Sequence, residues 1–294
     1  MGYLANKKHE NRVNVFLKAF VILGFLITLP AFFDNSFSAF LNEFRWQLFL
    51  ISGVVFLYAL AKKHYREAFF LSFVIIINYL SVSSVMSFFL SSPAAAQTKI
   101  LFASQSSDPL EVFEQAVNKN ADIIAVTHPD MNDFDIKTMI PSGYSFHYPA
   151  EGWENGFMLS KREVVSFGRI ELLSAIFADF IKISEGNEKV MYIAVDFCNL
   201  NIKEIKTALR KLSQFVAEQD DPVVVFGNFN LTVWSKPLRK FITDNNLKVK
   251  NALFDNFRNL IIPPRRYILG YDNTDLRAYL MSDYLKTLPM FTRF

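Results

Sequence analysis

Residues 221–247 read DPVVVFGNFNLTVWSKPLRKFITDNNL. Pro222 to Phe226 is a short, β-prone apolar run of the kind that forms a buried strand. Asn228 and Asn230 follow in a polar break, where asparagine side chains hold turned backbone. Ser235 stands where a helix cap is expected, with Pro237 in the first turn and Leu238 and Ile242 spaced to face inward. Asp244 to Asn246 end that helix. A buried strand, an asparagine turn and an amphipathic helix in direct succession predict an α/β layer rather than a helical bundle or an all-β barrel.

The same alternation extends upstream. Val190 to Phe197 is strongly β-prone and leads into a helix with Ile202, Ile205, Leu209, Leu212 and Val216 at helical spacing. Lys99 to Ala103 reads as a strand, Asp108 as the cap of a helix with Leu110, Phe113 and Val117 on one face, and Asp122 to Thr127 as the next strand. Gly156 to Leu159 and Glu163 to Phe167 are expected to form a hairpin closed by Ser160, Lys161 and Arg162. Downstream, Arg266 to Leu269 and Leu285 to Phe291 are the expected final strands. No internal repeat is visible.

The first third of the chain differs from the rest. The whole is 51% hydrophobic and only 20% charged, and that apolar excess is concentrated in three segments, Val13–Phe33, Trp46–Ala61 and Ala68–Leu90. Each is apolar on every face and approaches the roughly twenty residues that cross a bilayer. Phe44 and Trp46 extend the short second segment into the headgroup region, and Lys18 of the first can snorkel. Lys7, Lys8 and Arg12 precede the first segment, and Lys62, Lys63 and Arg66 fill the loop between the second and third. The intervening loop holds Asp34, Glu43 and Arg45. Basic flanks stay cytoplasmic. This predicts a cytoplasmic residue 1–12 segment, three crossings over residues 13–90, a linker at 91–98 (SSPAAAQT) and an extracytoplasmic domain over 99–294. In a bacterium that is an inner-membrane protein with its domain in the periplasm or outside the cell. Ala94, Ala95 and Ala96 resemble a small-residue cleavage site, and a cut after Ala96 would release the domain.

The formal net charge of +3, without a long basic run on the domain, excludes nothing but gives no reason to expect nucleic acid. Cys198 is the only cysteine, so no intramolecular disulfide or multi-cysteine metal site can form. It is expected in a buried strand, and Asp196 beside it disfavours a nucleophilic thiolate.

Residues 221–247 resemble the PVIVAGDFNATPWSPALRRLL segment typical of the endonuclease/exonuclease/phosphatase superfamily. KILFASQSSDPLEVFEQAVNKNADIIAVTHPD (99–130) is similar to that family's opening strand, helix and second strand. NGFMLSKREVV (155–165) looks like its GxAILSRxPL hairpin, and MSDYLKTLPMF (281–291) resembles its closing SDHxPV strand. Three apolar helices ahead of such a domain also resemble a membrane-anchored branch of the family. The resemblance implies three transmembrane helices followed by an α/β (α+β) four-layer sandwich. It also implies phosphate-ester hydrolysis by water, with a divalent metal on hard oxygen ligands assisted by a histidine and a carboxylate.

Position by position, that machinery is altered. The family's metal-binding glutamate aligns with His128, its early asparagine with Ser104, the aspartate of GDFN with Asn228, and the middle-strand histidine with Asp196. Asn230 is kept. The late motif falls near Pro264, Arg265 and Arg266, and the last histidine is Tyr284 after a retained Ser282 and Asp283. Asp196, Asn230, Asp283 and Tyr284 are thus vestigial catalytic positions, and Ser104, His128 and Asn228 are candidates for ligand binding. Imidazole in place of carboxylate weakens a Mg²⁺ site, and loss of the histidine base removes proton transfer. The expectation is a catalytically degraded binding or scaffolding domain without cofactor, partnered by the bilayer and by an envelope protein or lipid-linked phosphate. The alternative is a Mg²⁺- or Mn²⁺-dependent phosphohydrolase acting on a phosphate ester or lipid-linked pyrophosphate through Asp196, Asn230, Asp283 and His128. A third reading gives the main role to the membrane helices, with the domain as a passive cap.

Overall fold

A computed structural model describes residues 2–29, 41, 44–86, 98–103, 109–127, 139–147, 156–174, 176–186, 188–249, 266–270 and 276–280. They divide into two compact units, residues up to 86 with 231–239, and the remainder.

The first unit contains α1 (Gly2–Thr28), α2 (Arg45–Ala61) and α3 (Tyr65–Met86). Gly24 of α1 lies against Val74 of α3, and Thr28 of α1 accepts a 3.0 Å hydrogen bond from the Asn78 amide of α3. Both contacts advance by four residues along each helix, so α1 and α3 run parallel. Only Lys62 to His64 separate α2 from α3, and the Phe49 and Tyr79 rings meet with centroids 6.1 Å apart, so these two helices form an antiparallel hairpin. The seams carry small residues, Gly24, Ser52, Ala59 and Ala68, which let the backbones approach. Large apolar side chains instead face outward on all three helices, among them Val15, Phe16, Val54, Leu57, Phe69 and Leu80. Among the described residues no helix is long and apolar enough to cross a membrane. The three crossings expected from the sequence therefore remain a proposal.

The second unit is built on two sheets. One has the order β11 (Leu276–Leu280), β1 (Thr98–Ala103), β2 (Ile123–Thr127), β4 (Gly156–Ser160), β3 (Ser145–His147). The other runs β5 (Val164–Leu173), β6 (Ile176–Glu185), β7 (Glu188–Asp196), β8 (Val223–Asn228), β10 (Arg266–Gly270), β9 (Lys248–Val249). The alternation of side chains along each strand decides which faces meet. Ile100, Phe102, Ile123, Ala125 and Met158 of the first sheet share one core with Ile181, Ile183, Tyr192, Ala194, Val224, Phe226 and Ile268 of the second. The sheets are therefore packed face to face.

Helices cover the outer faces. Leu101, Ala103, Ile124, Val126, Phe157 and Leu159 hold α4 (Pro109–Asn118) through Val112, Phe113 and Ala116. On the other side lies α5 (Ile202–Ala217), whose Phe215 ring packs 5.7 Å from that of Phe180. Its amino end is closed by a capping box: Asn201 accepts from the Lys203 and Glu204 amides, and Glu204 accepts from the Asn201 amide. The order helix, sheet, sheet, helix agrees with the predicted four-layer α/β sandwich.

Several local expectations need correction. β4 and β5 are not a hairpin, because β4 pairs with β2 and β3 while β5 pairs with β6. Ser160 to Arg162 carry the chain from one sheet to the other, held by a 3.0 Å bond from the Arg162 amide to the Ser160 hydroxyl. Val117 is exposed, since the buried stripe of α4 is centred on Val112, Phe113 and the small Ala116. In α6 (Lys236–Asp244) the inward pair is Leu238 and Phe241, with Ile242 only half-buried. The Ser235 side chain does not cap that helix. Its carbonyl accepts from the Arg239 amide, while its buried hydroxyl has no hydrogen-bond partner among the described residues. β3, β6, β9 and β11 are not among the strands expected from the sequence, and residues 285–291 lie outside the described residues.

Candidate functional site

Strands β7 and β8 run parallel in the middle of the larger sheet, with Asp196 opposite Asn228 at their carboxyl ends. Gly227 makes that pairing possible. Its φ of 132° lies in a region that side-chain-bearing residues avoid, and a Cβ there would run into the Val195 carbonyl. The two strand ends therefore close to within reach of each other's side chains.

Asp196 is the hub. One carboxylate oxygen accepts from the Cys198 amide at 3.0 Å and from the Asn228 side-chain amide at 3.2 Å. The other accepts from the Thr127 hydroxyl at 2.8 Å. Thr127 ends β2, so this bond joins the carboxyl ends of the two sheets. Asn228 uses the other end of its amide to accept from the Asn230 backbone at 3.1 Å, an Asx turn that sets Asn230 in the left-handed region with φ 49°. Asn230 in turn donates to the Cys198 carbonyl at 3.2 Å. Asp196 and Asn228 are both buried.

Buried polar groups are stable only when paired, and here each partner is an internal neutral donor. A carboxylate offers about four lone-pair positions, so three donors leave little for anything else. The Asn228 amide cannot turn over, because its oxygen would then face the Asp196 carboxylate. Divalent cations need several oxygens converging on one point with lone pairs unoccupied. The described residues at this strand end do not fit such an ion, and among the described residues no three His, Cys, Asp or Glu side chains gather to hold one.

One row further into the inter-sheet space, Asp179 stands opposite Ala194 and forms a 2.8 Å ion pair with Arg169, whose guanidinium lies 5.1 Å from the centre of the Phe177 ring. This pair is enclosed, with both side chains nearly buried. Sequence reasoning missed Thr127, Arg169 and Asp179. For Thr127 a signal existed, since it closes a buried strand directly before His128. The pairing of Arg169 with Asp179 follows only from the register of β5 on β6, which no local motif marks.

Of the candidate residues, the structure brings together Asp196, Asn228 and Asn230. Ser104, His128, Asp283 and Tyr284, with Pro264 and Arg265, lie outside the described residues, and Arg266 is described only as the backbone partner of Asn228. Cys198 is not in a strand. It lies just beyond β7 and is half-buried.

At the opposite ends of the strands a second polar cluster ties the sheets. One Glu185 oxygen accepts from Thr98 at 2.9 Å, Arg162 at 3.0 Å and Tyr192 at 2.6 Å. Burial, and then the Glu185 carboxylate, push the Tyr192 phenol well above its ordinary range. These contacts all run inward and leave the cluster a structural brace.

No model of a known protein family matches the sequence, and no curated protein matches it. Solved structures with similar folds include a functionally unknown conserved protein from Enterococcus faecalis V583, at 11% identity and a TM-score of 0.47, covering 58% of this chain and 86% of that one. An endonuclease/exonuclease/phosphatase from Bacteroides vulgatus is 15% identical with a TM-score of 0.45, covering 58% of this chain and 85% of that one. An endonuclease/exonuclease/phosphatase family protein from Leptotrichia buccalis C-1013-b is 10% identical with a TM-score of 0.42, covering 58% and 86%. Likenesses of this strength say nothing about activity.

Proposed function

We propose that this chain is a membrane-anchored, endonuclease/exonuclease/phosphatase-like protein whose catalytic centre has become an internal hydrogen-bond lattice, and that its domain serves as an extracytoplasmic binding or scaffolding module. The observation that carries the reading is the state of Asp196. At the strand end where the family resemblance puts chemistry, its carboxylate accepts from Thr127, Cys198 and Asn228. Such a cluster holds two sheets together and offers no open set of hard oxygen ligands.

Anchoring is supported by the helical unit. Water-soluble helices hide one apolar stripe, whereas α1, α2 and α3 expose bulky apolar side chains and bury small residues at their seams.

Two experiments test the two halves. Calorimetric titration of the purified full chain with Mg²⁺, Mn²⁺ and Zn²⁺ should give no saturable binding that depends on Asp196. Saturable binding abolished by Asp196→Asn would contradict the lattice. Reporter fusions at Phe294 should be active only outside the cytoplasm, and activity confined to the cytoplasm would overturn the topology.

A further inference from the structure

The turn between α2 and α3 closes in a way that chain geometry alone does not favour. The His64 amide bonds back to the Ala59 carbonyl at 2.8 Å and the Lys63 amide to Leu60 at 3.0 Å, the double bond of a Schellman close. That motif needs a left-handed residue between helix and exit, a place glycine takes at least cost. Here it is Lys63, with φ 61°. A lysine stands where glycine would adopt the backbone at less cost, and Lys62 and Arg66 lie beside it, all three with exposed side chains.

The surroundings define what such a tip meets. The acid nearest in sequence, Glu67, is buried and does not share the exposed face. Tyr65 is 65% exposed beside the cations, and immediately beyond it the apolar Phe69 and Phe73 face outward. Cations, then an amphipathic aromatic, then bulky apolar groups is the order of chemistry through one leaflet, from phosphate to hydrocarbon.

We infer that the α2–α3 turn is a recognition site for the headgroup phosphates of anionic lipids, formed by Lys62, Lys63 and Arg66. The inference rests on the membrane placement proposed above and adds lipid selectivity to it. Each cation near an anionic surface favours binding, and salt weakens that preference. The apolar lysine stems can lie along the apolar flank while the ammonium groups reach the phosphates.

The test uses the full chain in membranes of equal parts phosphatidylcholine and phosphatidylserine, purified in mild detergent, with the retained lipid measured. Wild type should retain phosphatidylserine and phosphatidylcholine at a ratio of about 3:1 or more, against 1:1 in the mixture, and less at high salt. Lys62→Gln, Lys63→Gln and Arg66→Gln together should abolish the enrichment, while Lys62→Arg, Lys63→Arg and Arg66→Lys together should keep it. Should the glutamine triple variant not fold, Lys63→Gln alone should show a partial loss. No enrichment in wild type, or undiminished enrichment in the glutamine variants, overturns the inference. Failure of the wild type to float with vesicles of phosphatidylcholine alone is a separate result, which would instead remove the membrane placement itself.

Discussion

Asn228 is held at both ends of its amide, donating to Asp196 and accepting from the Asn230 backbone. Replacing it by aspartate would set two carboxylates about one hydrogen bond apart in a buried site, where like charges repel strongly and one must take a proton. We therefore expect Asn228→Asp to cost roughly 1–3 kcal/mol near neutral pH. Its raised carboxyl pKa means the variant is least affected at acid pH and loses stability as pH rises. Thermal unfolding of both proteins from pH 4 to 8 checks this, and equal melting temperatures throughout would refute the pairing. Gly227→Ala should be worse, at about 3 kcal/mol, because a left-handed backbone and a collision with Val195 combine. Chemical denaturation reads it directly. At this scale the sequence is partly legible: the asparagine pair is written in residues 228–230, but Thr127 ends a strand 69 residues before Asp196 in the chain, far outside the short windows in which periodicity is read.

The elements were easier to read where a single face is buried. Helix α5 shows its pattern plainly, since the expected Ile205, Leu209, Leu212 and Val216 are buried together with Ala208, while the capping box of Asn201 and Glu204 adds a start signal the apolar spacing does not mark. Removing that cap with Asn201→Ala should cost about 1 kcal/mol. A melting temperature unchanged from wild type would show that the capping box carries no weight. The hairpin expected at residues 156–167 failed for a physical reason. Both strands are apolar and β-prone, and a three-residue link can either turn back within a sheet or step to the facing sheet, so the choice lies in tertiary packing. The loop before β3 supplies a pH test. Tyr144 donates to the Ala121 carbonyl at 2.5 Å and packs under Lys161. Burial, and then Asp122, push its phenol up to about 12 from 10.0. A phenol whose folded pKa exceeds its unfolded one contributes stability below pH 10 that is lost as pH rises toward 12. Tyr144→Phe should shallow that alkaline decline while costing about 1 kcal/mol at pH 7. An identical slope in both proteins would contradict the assignment, and the slope left in the variant is expected to come from Tyr192.

On the scale of the whole molecule, the chain combines a helical unit that exposes its apolar side chains with a sandwich that buries them. The division between an apolar first third and a charged remainder is visible in composition alone; alternating strands and helices predict an α/β layered fold, and the four-layer order is what the family resemblance implies. What the sequence left open was whether exchanged catalytic positions leave a working site, because that depends on which partners each oxygen finds once folded. Asp196 finds three internal donors. On the proposed reading the chain lacks both a convergent cation site and a general base, which would remove the stabilisation that phosphate-ester hydrolysis requires, and residues acting as a unit are not revived singly. The most direct measurement is turnover by the purified full chain with Mg²⁺ or Mn²⁺ on a phosphodiester, a phosphomonoester and a polyprenyl pyrophosphate, beside an Asn230→Ala, Asp283→Ala control. Rates equal to the control on all three are predicted, whereas metal-dependent turnover on any one that vanishes in the control would contradict the degraded site and establish a phosphohydrolase.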